Sequence, residues 1–388
     1  MKVLFISGGD QRYGAPKALM ELVLSLKENY DIVPVVLTKK KGPLNEWCDS
    51  YHIENYSFWY RDTMAGSAYN STLLNFIKQL IKFCLYIYGG FIQHKVLKII
   101  PDLASFDIIH TNLNRIDIGS YISKKTGVPQ VCHLRELRNG HSKIVQYSSK
   151  VTGFLIDSNI MFFAISKITA RNWIEAGIPK NKICLAYDGI DLEYYGVRKN
   201  LDVKKSRYTL VCVGRLEKNK GQHQIIKAMH LLDESIKNRV ELILVGESYP
   251  EYKKKLDKMI VEYNLKSQVV FLGYVADMRE VLEKCDIGIT ASRGEAFGRV
   301  TVEYMAAGLV TIVSDTGANK EIVDDEINGY IYQFNNSADL ALKIEKTIID
   351  RTKTKEILSN ASEKVLEFSK NNNAQCVYSA YKDILREV

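Results

Sequence analysis

With 388 residues, 46% of them hydrophobic and 25% charged, the chain is long enough for two ordinary folded domains and too apolar for long disordered tails. The net charge of +8 is uneven: residues 1–187 hold 23 Lys and Arg against 14 Asp and Glu, while residues 188–388 hold 30 against 31. That asymmetry fits an anionic partner, either a membrane surface or a polyanion, or simply a solvated basic face; nucleic acid is not expected as a partner.

The opening run MKVLFISGG is too short, and too soon followed by glycines and charge, for a signal peptide. It reads as a first β-strand, and a cytoplasmic location is the expectation. Further apolar runs follow in the first half: IVPVVL, FDIIHT, PQVCHL and FFAIS. Each is trailed by a turn and a helix-period segment, the alternation of a parallel sheet covered by helices. Residues 71–91 break the rhythm. At about 100° per residue, Asn75, Lys78, Gln79 and Lys82 share one narrow face, and Leu73, Phe76, Ile77, Leu80, Ile81, Phe83, Cys84 and Ile87 cover the rest. Two lysines and two amides argue against a membrane span. Two readings stay open: a helix lying in a membrane interface with Trp47, Phe58, Trp59 and Tyr60 nearby, or a helix packed on the first sheet.

Apolar periodicity fades between Asp188 and Arg207, which places a domain join there. The expected domains are 1–187 and 188–372, with a C-terminal amphipathic helix from about 373 to 388. The second half repeats the α/β rhythm with YTLVCVG, VELILVG, QVVFLG, CDIGIT and VTIVSD. The seven cysteines, mostly within apolar runs, read as buried thiols of a reducing compartment.

Ligands of open α/β sheets bind beyond the carboxyl ends of the strands, so the loops after these runs carry the candidates. After LVCV come Gly214, Arg215, Lys220 and Gly221, then a helix from about Gln222. Fixed cations and unpaired N–H groups at a helix start suit a diphosphate, although such residues are also common solvated charges. After CDIGITAS, Glu295 precedes a helix that contains Glu303. Carboxylates can accept forked hydrogen bonds from sugar and ribose hydroxyls. Alternatively, Glu303 is an exposed helix residue and Glu295 a dipole-favoured cap. Neither an Asp-x-Asp pair nor zinc-like histidine spacing occurs, and His110 reads as a strand-end residue.

Taken together, Gly214-Arg215 with Lys220, Gly273-Tyr274, the stretch Ser292 to Glu303, and Thr316-Gly317-Ala318-Asn319-Lys320-Glu321 resemble the retaining GT-B glycosyltransferases of family 4. The segment AISKITARNWIEAGIPKNKICLAYDGIDLEYY resembles that family's domain join, so the likeness covers nearly the whole chain. It implies two Rossmann-like doubly wound domains facing across a cleft, the first binding acceptor and the second a nucleotide sugar, with the C-terminal helix crossing back. The implied reaction is transfer of a sugar from a nucleotide diphosphate sugar to a hydroxyl of a glycan or lipid-linked acceptor, with retention and without a metal or other cofactor.

By the same resemblance Arg215 and Lys220 grip the diphosphate, Glu303 takes the ribose, and Glu295 holds the donor sugar. Backbone N–H groups of Phe297, Gly298, Arg299 and Val300 face sugar and phosphate, and Gly273-Tyr274-Val275 takes the base. In the first domain His133 lies near the sugar and Gly14 near the phosphates. If the acceptor is lipid-linked, the setting is surface polysaccharide assembly, with the protein peripheral on the inner face of the membrane.

Departures from the pattern are Ala15-Pro16-Lys17 after Gly14, Asp188 in place of Asn, Tyr304 in place of a small residue, and Leu309-Val310 without proline. They predict altered packing, not a lost active group. A sugar-nucleotide 2-epimerase on the same architecture would need acid and base groups at the sugar's C2, and only His133 and Glu295 offer them. A noncatalytic nucleotide-sugar-binding protein is the remaining alternative.

Overall fold

The computed structural model describes residues 1–8, 14–67, 73–137, 143–146, 160–196 and 205–386. The chain divides into two compact units: Met1–Gly189 joined by Lys370–Val388, and Ile190–Ser369. Residues 197–204 of the expected join lie outside the described residues, as do 71 and 72.

In the N-terminal unit the strands are β1 (Lys2–Ser7), β2 (Val33–Thr38), β3 (Glu54–Ser57), β4 (Met64–Ser67), β5 (Ile108–Thr111), β6 (Gln130–Leu134), β7 (Lys143–Gln146), β8 (Ile160–Ala164) and β9 (Ile183–Leu185). Seven of them form a parallel sheet in the order β3-β2-β1-β5-β6-β8-β9, and β4 pairs antiparallel with β7. Successive side chains of β1 alternate between two cores. Val3 and Phe5 meet Leu19, Leu22, Val23 and Leu26 of the Gly14–Asn29 helix, whereas Leu4 and Ile6 join Ile109, Ile118 and Ile122 on the opposite face. Burial on both faces is why these strands read as unbroken apolar runs. β3, whose sequence is ENYS, and the three-residue β9 carry no such run and escaped the pattern.

The C-terminal helix Lys370–Arg386 belongs to this unit. Tyr378 stacks on Tyr30 at 4.4 Å, and the buried Tyr381 reaches the core beside Phe163.

The C-terminal unit holds β10 (Tyr208–Val213), β11 (Val240–Val245), β12 (Val269–Gly273), β13 (Ile287–Thr290), β14 (Val310–Ser314) and β15 (Tyr330–Tyr332). They form one parallel sheet ordered β12-β11-β10-β13-β14-β15. The chain winds outward from β10 in one direction through β11 and β12, then returns to the other side with β13. That reversal makes the β10–β13 boundary the topological switch point, where loops diverge and leave room for a ligand.

Two sequence expectations change. The Leu73–Ile92 helix is not packed on the sheet: Phe76 is 68% exposed, Phe91 74%, and Ile77, Leu80, Ile81, Phe83, Leu85, Ile87 and Tyr88 are also exposed. Among the described residues no helix is long and apolar enough to cross a membrane. Phe58 and Tyr60 are core residues, buried among Leu37, Ile109 and Val96, so they form no interfacial belt. Cys84 is exposed and Cys184 and Cys376 are half-buried, so only Cys48, Cys132, Cys212 and Cys285 match the buried-thiol reading.

Candidate active site

Three neighbouring loops, after β10, β13 and β14, meet at the switch point. The first runs through Gly214 and Arg215 to a short 3-10 turn at Lys218–Lys220, then Gly221 and the Gln222–Leu231 helix. Gly221 has φ of 72°, and a Cβ there would lie 2.0 Å from the Ala291 carbonyl oxygen. A side chain is therefore excluded twice, by conformation and by space, and the two loops touch through bare backbone.

That contact delivers Lys220 to the next loop. Its Nζ lies 2.7 Å from Oε1 of Glu295, which also accepts from Ser292 Oγ at 2.5 Å. Arg293 N–H donates to the Asn219 carbonyl at 2.8 Å, tying the loops a second time. Burial works against the Lys220 ammonium, but the facing Glu295 carboxylate, with Glu217 beyond it, outweighs that and raises its pKa above the ordinary value. Glu295 is thus the partner of a lysine on an adjacent loop, and the helix cap three residues later is Gly298.

The loop after β14 pins Glu295 from behind. Ser314 Oγ and Thr316 Oγ1 donate to the Ser292 carbonyl at 2.6 and 2.8 Å, and Ala318 N–H donates to the Glu295 carbonyl at 2.9 Å. A Cβ on Gly317 would fall 2.3 Å from the Glu295 nitrogen. The stretch from Thr316 to Ala318 therefore positions the acid through one hydroxyl and its main chain.

Glu303 sits in the Arg299–Ala306 helix and is only 6% exposed, against the exposed-residue alternative. Its Oε1 lies 3.5 Å from Arg299 Nε, one turn earlier. Phe297 and Gly298 are buried, Arg299 and Val300 half-buried, and Phe297 packs edge-on against Phe368 at 5.6 Å. Tyr304, one of the departures noted in the sequence, packs against Gly288 of β13, where a Cβ would come within 2.3 Å of its ring. The Tyr304 hydroxyl accepts from Val213 N–H at 2.7 Å, at the end of β10. The large ring is thus matched by a missing side chain in the strand beneath it.

Arg215 Nη1 donates to the Tyr249 hydroxyl at 3.2 Å, with its guanidinium 5.6 Å from the Tyr249 ring centre. Gly273 closes β12, two strands from β10; its carbonyl accepts from Gly246 N–H at 2.7 Å, Tyr274 is 49% exposed and Val275 half-buried. Lys220 and Glu295 are in contact, Arg215 lies on the Lys220 loop, and Glu303 lies on the helix that follows the Glu295 loop. The Gly273–Val275 corner lies farther along the same carboxyl edge.

Gly14 and His133 belong to the N-terminal unit. Gly14 is the exposed first residue of its helix; the preceding residues 9–13 lie outside the described residues. His133, fully buried in β6, shares a 2.7 Å hydrogen bond between its Nδ1 and Nε2 of His110, whose Nδ1 in turn meets the Tyr381 hydroxyl. Among the described residues His133 Nε2 has no protein partner. Burial, with the nearby Arg135 cation adding to it, lowers the His110 pKa to about 3 and holds His133 well below the usual value, so both rings are neutral at pH 7. His110 is, as expected, at the end of its strand, one residue before the close of β5, and it is fully buried there. Asp188 forms a buried ion pair with Arg135, whose Nε also donates to Asn112 Oδ1 at 2.9 Å. Neither link was legible in the sequence, because the partners lie 53 and 23 positions apart.

Residues 197–365 match the family model described as Glycosyl transferases group 1. An uncharacterized glycosyltransferase of Methanocaldococcus jannaschii is 27% identical over 217 residues, 53% of this chain, and the chain spans about half of that relative's length (55%). A galactosyltransferase of Escherichia coli, named for UDP-Gal and GlcNAc-diphosphoundecaprenol, is 23% identical over 340 residues, covering 82% of this chain and 80% of its own. Among solved structures, the Anabaena protein HepE in complex with UDP superposes with a TM-score of 0.80 at 23% identity, covering 99% of this chain and 100% of its own; its complex with UDP-glucose gives 0.78. The fold is the two-domain, Rossmann-like GT-B fold.

Proposed function

We propose that this chain is a retaining glycosyltransferase that moves a sugar from a nucleotide diphosphate sugar to a hydroxyl of a glycan or lipid-linked acceptor. The Lys220–Glu295 pair at the β10–β13 switch point carries the reading. It sets a cation where a diphosphate would lie and an acid where donor-sugar hydroxyls would be held. Without donor, each satisfies the other; with donor, the ammonium turns to phosphate oxygens and the carboxylate to sugar hydroxyls. Arg215 adds the second cation, N–H groups at the start of the Arg299–Ala306 helix add a dipole, and the buried Glu303 takes the ribose.

Breaking the anomeric C–O bond drives electron density onto the leaving diphosphate. Fixed cations and N–H donors aimed at that oxygen stabilise the transition state more than the ground state. The acceptor oxygen bonds to the anomeric carbon from the face that the diphosphate leaves and gives its proton to the departing phosphate; attack on that same face preserves the anomeric configuration. Arg215 and Lys220 supply the compensating charge, so the proposed reaction needs no divalent ion. Gly14 and His133 are assigned to the phosphate and sugar ends by family resemblance, and the neutral His133 offers Nε2 for a hydrogen bond. The relative named for a diphosphoundecaprenol acceptor supports the lipid-linked choice of acceptor, and such an acceptor would set the reaction in surface polysaccharide assembly at the inner face of the membrane.

Incubation with UDP-, GDP-, ADP- and dTDP-sugars, with and without bacterial lipid extract, tests the proposal. The expected result is nucleoside diphosphate release accelerated by extract, with a glycosylated product of unchanged anomeric configuration by NMR. A new sugar nucleotide without transfer would make it an epimerase; binding without release would make it a noncatalytic protein.

A further inference from the structure

The Leu73–Ile92 helix has no counterpart in the chemistry above, and its packing is unlike that of any other long helix described. From Phe76 to Leu85 every described residue is exposed, on all sides of the helix. Its last turns are held to the rest of the unit. Arg61 threads between this helix and Asp117: its Nε and Nη2 meet Asp117 Oδ2 at 2.7 and 2.6 Å, and its Nη1 donates to the Tyr86 carbonyl at 3.2 Å. Gly89 and Gly90 make that fit possible, since a Cβ on either would lie 2.7 or 2.6 Å from the arginine. Trp59 packs against Tyr88 at 5.9 Å. The helix is therefore latched at its last turns, and its described apolar side chains from Phe76 to Leu85 are exposed.

The wheel shows which side faces outward. At about 100° per residue Gly89 falls between Lys78 and Lys82, so the latched side is the polar one, and an apolar arc of about 260° points away from it. A soluble monomer does not ordinarily leave a continuous patch of this kind bare. Charge identifies the occupant. Between Met64 and Pro101 the sequence has four lysines, at 78, 82, 95 and 98, together with His94, and not one Asp or Glu. A partner protein or a second copy would need only the apolar arc; the stripe of cations beside it matches a surface that is apolar inside and anionic at its rim.

We infer that the Leu73–Ile92 helix lies flat in the interface of an anionic lipid bilayer, its apolar arc among the acyl chains and its lysines at the headgroups. The inference stands on this helix alone and does not depend on the proposed reaction.

Co-flotation of the full chain with vesicles of phosphatidylglycerol and phosphatidylcholine, beside phosphatidylcholine alone, tests it. The expected affinity for the anionic vesicles is at least ~10-fold higher and falls as salt screens the headgroups. The triple substitution F76Q/L80Q/I87Q, at exposed positions, should abolish vesicle binding while leaving the melting temperature unchanged. K78E/K82E should remove the preference for anionic vesicles. Absence of wild-type binding to anionic vesicles would overturn the inference. So would a dimer in sedimentation velocity that F76Q/L80Q/I87Q dissolves while vesicle binding is nil, because the helix would then pair with its own copy.

Discussion

Two glycines of the C-terminal unit have nearly the same positive φ, 72° at Gly221 and 69° at Gly273, but differ in their surroundings. Nothing lies within 4 Å of a Cβ at Gly273, whereas at Gly221 it would meet the Ala291 oxygen at 2.0 Å and Gln224 Nε2 at 2.6 Å. Gly273→Ala should therefore cost only the left-handed penalty, about 1–2 kcal/mol. Gly221→Ala carries the same penalty plus the overpacking of a site walled by backbone, about 1–3 kcal/mol more, for a total of about 2–5 kcal/mol. Relief of the clash must push the β10 loop off the β13 loop and so lengthen the Lys220–Glu295 contact. Urea unfolding followed by tryptophan fluorescence and circular dichroism measures both costs, and calorimetric titration with a nucleoside diphosphate measures the functional one. G221A should lose both stability and nucleotide affinity. Equal destabilisation by the two substitutions would refute the claim that close loop contact builds this site.

Lys220→Met and Arg215→Met should each reduce kcat by a factor equivalent to about 2–4 kcal/mol, the cost of removing one preorganised donor; steady-state kinetics at unchanged turnover would dismiss the diphosphate assignment. Turnover should persist in excess EDTA, and a loss restored by Mn²⁺ would show that a metal shares the work. His110, lowered to about 3, His223, lowered to about 4, and His133 all titrate below the ordinary histidine value because of burial first and nearby cations second. The unfolded chain binds protons near pH 6.5 and the folded chain does not, so their contribution is complete above pH 6.5 and is lost as pH falls, at up to about 1.4 kcal/mol per pH unit for each histidine. Calorimetric melting temperatures that stay flat from pH 7 to 5 would contradict this. Arg135→Met should destabilise the protein by about 3–5 kcal/mol, since it strands the Asp188 carboxylate in the core, and R135M/D188L should recover part of that loss in denaturant unfolding.

The sequence carries the sheets plainly wherever both faces of a strand are buried, as in KVLFIS and YTLVCV. It hides them at two edges, where β3 is short and polar and β15 is only three residues long. Lys220 and Glu295 stand out because strand–loop–helix punctuation marks the carboxyl edge of a parallel sheet. Their mutual contact does not, because the two residues lie 75 positions apart and meet only when β13 returns beside β10. The work of Thr316 to Ala318 is done by hydroxyls and main chain holding Ser292 and Glu295, which leaves little side-chain trace. The residues 71–91 were legible as an amphipathic helix, but whether its apolar arc met core or solvent depended on Arg61, ten positions earlier, filling the space above two glycines.

Titration calorimetry of the wild-type chain with UDP, GDP, ADP and dTDP examines the diphosphate site most directly. One of these nucleotides should bind, and R215M/K220M should weaken that binding by at least about 10-fold, the equivalent of 1.4 kcal/mol. Failure of all four to bind, or undiminished affinity in the double variant, would contradict a diphosphate seat at the switch point of the C-terminal sheet.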